Sequence, residues 1–414
     1  MEDSIRFQTL PNGLTVVGQP NGAMRSAALT LLVPAGCAQE PDELNGLSAL
    51  VQEMTLRGSG PRDNRQFVLD LDTLGVAHDE SVGAAHAKLS AATLAENLPA
   101  ALEILSQTLI RPHFPADELE PARQMIVQEA LAIEDEPAQK AMIELRRLHY
   151  PDPWGRPGTG RLEAIERIGL SDIREFFERA YRPGGAILGL AGRFDFDAML
   201  SQVEKLLGDW AVGAPPEPVE RTVGPRYRHF DYPSNQTQIG IAWAHPPYCH
   251  PDYYRAGAGV GVLSGGMSSR LFTEVRERRG LCYGIHASCH TLRDRGAVFC
   301  HAGTSAQRAQ ETLDVTLDEI RRLAEGIGED ELARLKARIK SLLVMHEESS
   351  FARSASIAHD WYHLGRARTL EEIGRTIDEL TVESVNAYLA EHPARGFTIV
   401  TLGPRELEVP GDLP

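Results

Sequence analysis

Two periodicities alternate along the chain. Apolar side chains recur at helical spacing over 45–57, 64–75, 94–110, 116–133, 136–148, 162–168, 171–181 and 195–209. "LTVVGQP" (14–20), "SAALTLLVPAG" (26–36), "AHAKLSAATL" (85–94) and "AILGLAG" (186–192) have strand composition and are bounded by turn residues. Strands and helices in this order predict an α+β layered fold rather than a regular alternation of strand and crossover helix.

The pattern breaks at "AVGAPPEPVERTVGPRY" (211–227), which is rich in Pro and Gly and has no apolar period. It reads as a linker. Beyond it the first half recurs. "TQIGIAWAHPP" (237–247) takes the place of "SAALTLLVPAG", "DYYRAGAGVGVLSG" (252–265) that of 45–57, "AVFCHAGTS" (297–305) that of "AHAKLSAATL", and helix 306–324 that of 94–110. "DELEPARQMIVQEALAIEDEP" (117–137) matches "DELARLKARIKSLLVMHEESS" (330–350) at a constant offset. A period of half the chain is a duplication. The expected division is a domain over 1–210, a linker over 211–227 and a like domain over 228–414, facing each other across a cavity.

The chain has 414 residues and a formal net charge of −16, which argues against a polyanionic nucleic-acid partner. No stretch approaches 18 apolar residues, so no membrane span is expected. "MEDSIRFQTLPNGLTVV" lacks the basic end and apolar core of a signal peptide, and the expected location is the cytoplasm. The five cysteines, an odd number without a CxxC pair, read as free or buried thiols.

Two stretches carry candidate chemistry. In "NGLSALVQEM" (45–54), Asn45 is placed to cap a helix whose Leu47, Leu50, Val51 and Met54 face inward. Gln52 and Glu53 follow Ala49 by three and four residues, so these three share one face. In "LSGGMSSRLFTEVRERRGLCYGIHAS" (263–288), Ser268 or Ser269 can cap a helix over about 269–278 that Gly280 ends, and Tyr283 starts the next strand. Arg276 and Tyr283 then straddle a helix–turn–strand corner. A guanidinium and a phenol pointing the same way suit a peptide carbonyl or a developing oxyanion.

This second stretch resembles the C-terminal-domain signature of the M16 (pitrilysin-type) metallopeptidases, a family that includes mitochondrial processing peptidase, insulin-degrading enzymes and short bacterial M16B proteins. "LPNGLTVVGQP", "GCAQEPDELNGLSALVQEMTLRGS" and "ARQMIVQEALAIEDEP" resemble the family's opening strand, its zinc helix and the helix of its third ligand. The resemblance implies a LuxS/MPP-like metallohydrolase fold, two mainly antiparallel sheets covered by helices.

Active members carry H-x-x-E-H, two imidazoles one turn apart with a general-base Glu between them. By resemblance Ala49 stands at the first His, Gln52 at the Glu and Glu53 at the second His; only Glu129 matches a ligand, the third. Ala49 cannot ligate and Gln52 cannot take a proton from water. The resemblance thus implies a chain with no metal of its own, inactive alone. Arg276 and Tyr283 correspond to the pair that grips substrate at the zinc. Some short members form dimers of an HxxEH-bearing chain and a chain bearing only Arg and Tyr. This sequence fits the second role, with zinc in the partner, an oligopeptide as substrate, and a homodimer or a scaffold without a peptidase partner as alternatives. The family's substrate strand corresponds to 77–90, where Gly83, Ala84 and Ala85 are small enough for a peptide backbone to approach.

Overall fold

The computed structural model describes residues 4–222 and 224–411. It divides into two compact units. The first takes the chain up to Ala132, Arg156–Glu220 and Val344–Thr369; the second takes Ile133–Gly155, Arg221–Leu343 and the chain from Leu370 onward.

The chain begins with β1 (Arg6–Thr9), β2 (Thr15–Pro20), β3 (Ser26–Val33) and α1 (Leu47–Leu56). A two-residue ladder, β4 (Gly58–Ser59) with β5 (Arg62–Asp63), leads to α2 (Asn64–Thr73), the hairpin β6 (Ala77–Val82) and β7 (Ala87–Leu94), α3 (Leu98–Ile110) and α4 (Leu119–Glu134). Helix α5 (Pro137–His149) belongs to the second unit. The chain then returns for α6 (Leu162–Ile165), α7 (Leu170–Ala180), β8 (Ile187–Gly192) and α8 (Phe196–Leu207). The stretch 211–226 holds no helix or strand among its described residues, in keeping with a linker. The second unit follows with β9 (Tyr227–Asp231), β10 (Gln236–His245), α9 (Tyr253–Ser264), β11 (Cys282–Thr291), β12 (Gly296–Ser305), α10 (Ala309–Arg321) and α11 (Glu329–Glu347). Helix α12 (Ser350–Leu364) lies in the first unit, and α13 (Leu370–Asp378), α14 (Val382–Glu391) and β13 (Thr398–Gly403) complete the second.

The duplication is visible in the sheet topology. The first sheet runs β1-β2-β8-β3-β7-β6 and the second β11-β12-β10-β13-β9. Read backward, the second has the order of the first without β1. Each has one parallel pair, β2 with β8 and β13 with β9, and is otherwise antiparallel. One face of each sheet carries the main core. Leu29, Leu31, Leu89 and Leu188 pack against Leu50, Val51 and Met54 of α1 in the first unit. Ile239, Ile241, Val298 and Cys300 pack beneath α9 and α10 in the second.

The opposite faces are covered by exchanged helices. Helix α12 lies on β3 and β8, and α5 on β10 and β13. Both follow the long helices of the repeat, α4 and α11, so each repeat lends the same element. Glycines permit the close approach: a Cβ on Gly189 would come within 2.4 Å of the Ser354 carbonyl oxygen, and one on Gly240 within 3.1 Å of Leu145. The Thr30 hydroxyl sits between those of Ser90 (3.1 Å) and Ser354 (2.9 Å). The contiguous division 1–210 and 228–414 therefore describes the repeat along the chain, while 133–155 and 344–369 change places in the packing.

Candidate functional site

Helix α1 starts at Gly46, not at an Asn45 cap. Gly46 adopts φ +113°, and a Cβ there would meet Ile165 at 2.7 Å, so the position suits glycine alone. The cap comes from outside the helix. The Glu40 carboxylate accepts from the Gly46 N–H (3.0 Å), the Ser48 N–H (2.7 Å), the Ser48 hydroxyl and the Asn45 side-chain amide (2.6 Å). A carboxylate at this end satisfies free N–H groups and the helix dipole together. Burial nevertheless holds the Glu40 carboxyl above the ordinary range. Glu40 escaped the sequence reading because its partners lie five, six and eight residues on, outside capping-box spacing.

On the face of α1 that carries Ala49, Gln52 and Glu53, each polar side chain already has a protein partner. Gln52, 8 % exposed, donates its amide to the Lys88 carbonyl of β7 at 2.7 Å. Glu53 accepts from Arg57 Nε at 2.6 Å, and Arg57 also reaches Glu118 at 2.9 Å. Ala49 presents a methyl group. Glu129 stands exposed on α4, its carboxyl raised by partial burial and by the charge of Glu53. A catalytic zinc needs three ligating side chains and an open position. A methyl, an engaged amide and an arginine-paired carboxylate do not fit it. Among the described residues, no three His, Cys, Asp or Glu side chains gather as a metal-holding group. Cys282, Cys289 and His290 do not form one: Cys282 joins the core, Cys289 Sγ meets His245 Nε2 at 3.4 Å, and His290 meets the Tyr150 hydroxyl at 2.9 Å.

Gly83, Ala84 and Ala85 form the turn between β6 and β7, and their carbonyls accept from the N–H groups of Cys37, Ala38 and Gly36. A Cβ on Gly36 would lie 2.3 Å from the Ala84 oxygen. Small residues here let two protein segments approach. Strand β6 itself is one of the two edges of this sheet, opposite β1.

In the second unit, Arg276 sits in a π-helical segment, Phe272–Arg278. The widened turn is a form enriched at functional sites. Gly280 ends it at φ +58°, and Arg308 donates to the carbonyls of Gly280 (2.8 Å) and Arg279 (2.9 Å), which fixes the corner. Neither Ser268 nor Ser269 makes a side-chain cap; Leu271 stands at the start of the π-helical turns. On the sheet, Cys282 pairs with Thr304 and Gly284 with Gly303, so Tyr283 is the extra residue of a β-bulge. A bulge re-aims its side chain, and Tyr283 is 87 % exposed. The Arg276 guanidinium lies 4.6 Å from the Phe272 ring centre and 4.9 Å from that of Tyr283. It has no carboxylate partner among the described residues; Glu274 instead pairs with Arg278. Two aromatic faces thus hold a cation whose N–H edge stays available for an oxygen acceptor. Arg276 and Tyr283 come together as expected. Phe272, the third member, gave no sequence signal beyond an apolar position.

A family model described as "Insulinase (Peptidase family M16)" matches residues 15–150, and one described as "Peptidase M16 inactive domain" matches 167–339. An uncharacterized zinc protease of Mycobacterium tuberculosis is 27% identical over 408 residues, covering 96% of this chain and 93% of its own. One of Bacillus subtilis is 24% identical over 97% of this chain and 98% of its own. Among solved structures, a peptidase M16 inactive domain from Pseudomonas fluorescens superposes with a TM-score of 0.88 at 23% identity, over 98% of this chain and 99% of that one. A chain of Complex III from Candida albicans gives 0.81 at 21% identity, over 97% and 96%.

Proposed function

Because the chain belongs to peptidase family M16, we propose that it serves as a noncatalytic subunit that binds oligopeptides and supplies Arg276 and Tyr283 to the zinc site of a homologous, HxxEH-bearing partner. The observation that carries this reading is the contrast between two helices. On α1 the side chains of Gln52 and Glu53 are engaged within the protein. Beside β11 a guanidinium is held by two rings, with no carboxylate among the described residues to neutralise it. Such an arrangement suits a substrate carbonyl or the oxyanion it becomes. Zinc, in this reading, belongs to the partner, where it would polarise the carbonyl and supply the attacking water. The residues of this chain bind and orient the peptide.

A second reading is a scaffold of the same fold, supported by the likeness to a Complex III chain. The side-chain inventory favours the first, since a scaffold has no use for an unneutralised Arg276 beside an exposed phenol.

Affinity isolation of the full chain from its native organism tests both. The first reading expects a similar-sized HxxEH-bearing chain to co-purify, with chelator-sensitive peptidase activity that neither chain shows alone. Isolation with no such chain, or activity in the partner unaffected by this subunit, sinks it.

A further inference from the structure

We propose that His286 and His301 form a two-imidazole site for a divalent transition-metal ion such as Zn²⁺, separate from the family's zinc position and pinning edge strand β11 to β12. The two residues are direct cross-strand partners. Their ring centres are 5.6 Å apart at an interplanar angle of 52°. Imidazole nitrogens bind zinc at about 2.0–2.1 Å, which places the centres of two ligating rings roughly 5–6 Å apart.

One ring is already set for ligation. His301 Nε2 lies 3.0 Å from Gln238 Oε1. A carboxamide oxygen only accepts, so Nε2 carries the hydrogen and Nδ1 keeps its lone pair. Gln238 is oriented in turn, donating from Nε2 to Gln236 Oε1 at 3.4 Å. Gly303 makes room for this amide: a Cβ there would stand 2.9 Å from Gln238 Oε1. A ligating histidine that donates its second nitrogen to a fixed acceptor is the usual outer-shell pattern of metal sites. Burial and the facing His286 push the His301 imidazolium down to about 4, so the ring is neutral at ordinary pH. His286 is exposed and has no hydrogen-bond partner among the described residues, so it can turn either nitrogen toward the shared ion.

Imidazole suits Zn²⁺, Ni²⁺ and Cu²⁺ rather than Mg²⁺ or Ca²⁺. No third His, Cys, Asp or Glu joins the pair among the described residues, which leaves further coordination positions to water or an added ligand. Tyr283, in the bulge, is three residues from His286 on the same strand. A bridging ion would close the hairpin just beyond the bulge and hold the phenol's strand in register.

The test uses the full chain and Zn²⁺ alone. Crystals soaked in Zn²⁺ are expected to show an anomalous-scattering peak between the His286 and His301 rings. Calorimetry is expected to show an affinity that His286→Ala and His301→Ala each weaken at least tenfold, and Gln238→Leu by about 10-fold, the usual effect of an outer-shell loss. His286 is exposed, so its variant folds whether or not the proposal holds. No peak at this pair, peaks only at other histidines or beside Glu129, or unchanged zinc affinity in His286→Ala overturns the proposal.

Discussion

Arg57 donates to Glu53 across one turn of α1 at 2.6 Å, and the same guanidinium holds Glu118 at 2.9 Å. The carboxylate at the second family histidine position is thereby a structural anion. Arg57 has a second anchor, so it keeps a partner when residue 53 changes. The combined variant Ala49→His, Gln52→Glu, Glu53→His is therefore expected to fold and, with Glu129, to bind about one zinc per chain by metal analysis. Recovered peptidase activity is not part of this expectation, since outer-shell groups also shape such sites. A folded triple variant without zinc would show that Glu129 is out of reach.

In the reconstituted complex of the proposed function, Arg276→Ala and Tyr283→Phe are each expected to lower turnover by about 10²-fold, the size of losing one oxyanion donor. Thermal unfolding should stay unchanged for Tyr283→Phe, because the residue is exposed. Phe272→Leu should lower turnover less than Arg276→Ala, since it removes one of two stacking faces and no donor. Turnover unchanged in both Arg276→Ala and Tyr283→Phe refutes the role.

Glu40→Ala leaves two N–H groups, a hydroxyl and an amide without their buried acceptor. At about 1–3 kcal/mol per orphaned group, and with some relaxation, the expected loss is on the order of 3–5 kcal/mol. Urea denaturation checks it; Glu40→Gln, which keeps an acceptor oxygen, should lose less.

His149 is held neutral by burial and by Arg226, its imidazolium pushed from 6.5 down to about 4. The unfolded chain accepts a proton that the folded chain refuses. Stability is thus constant above pH 6.5 and falls as the pH drops from 6.5 toward 4, by about 2–4 kcal/mol from this group. His149→Asn, which can keep a contact with Thr398, is expected to flatten that part of the stability–pH curve. Parallel curves for the two proteins would exclude His149 as the titrating group.

Periodicity located most elements because their apolar faces are one-sided: α1 with Leu50, Val51 and Met54, β3 with Leu29 and Leu31. Strand β6 was not legible as a strand, since "AHDESV" is an exposed edge with polar residues on both sides. Arg276 and Tyr283 were legible because a helix stop at Gly280 lies between them. The bulge and the π-helical turns that aim them were not, being set by Arg308 and the β12 register. At Gly83–Ala85, where a substrate backbone was expected to approach, the neighbouring backbone is that of residues 36–38.

The loan of α5 and α12 between repeats has a consequence for biosynthesis. When residue 210 leaves the ribosome, the outer side of the first sheet, with Val17 and Ile187, still lacks Ile357 and Ala358. Neither lobe can reach its final form until almost the whole polypeptide has emerged. A chain truncated before residue 350 leaves an apolar sheet face uncovered for chaperones or proteases to find.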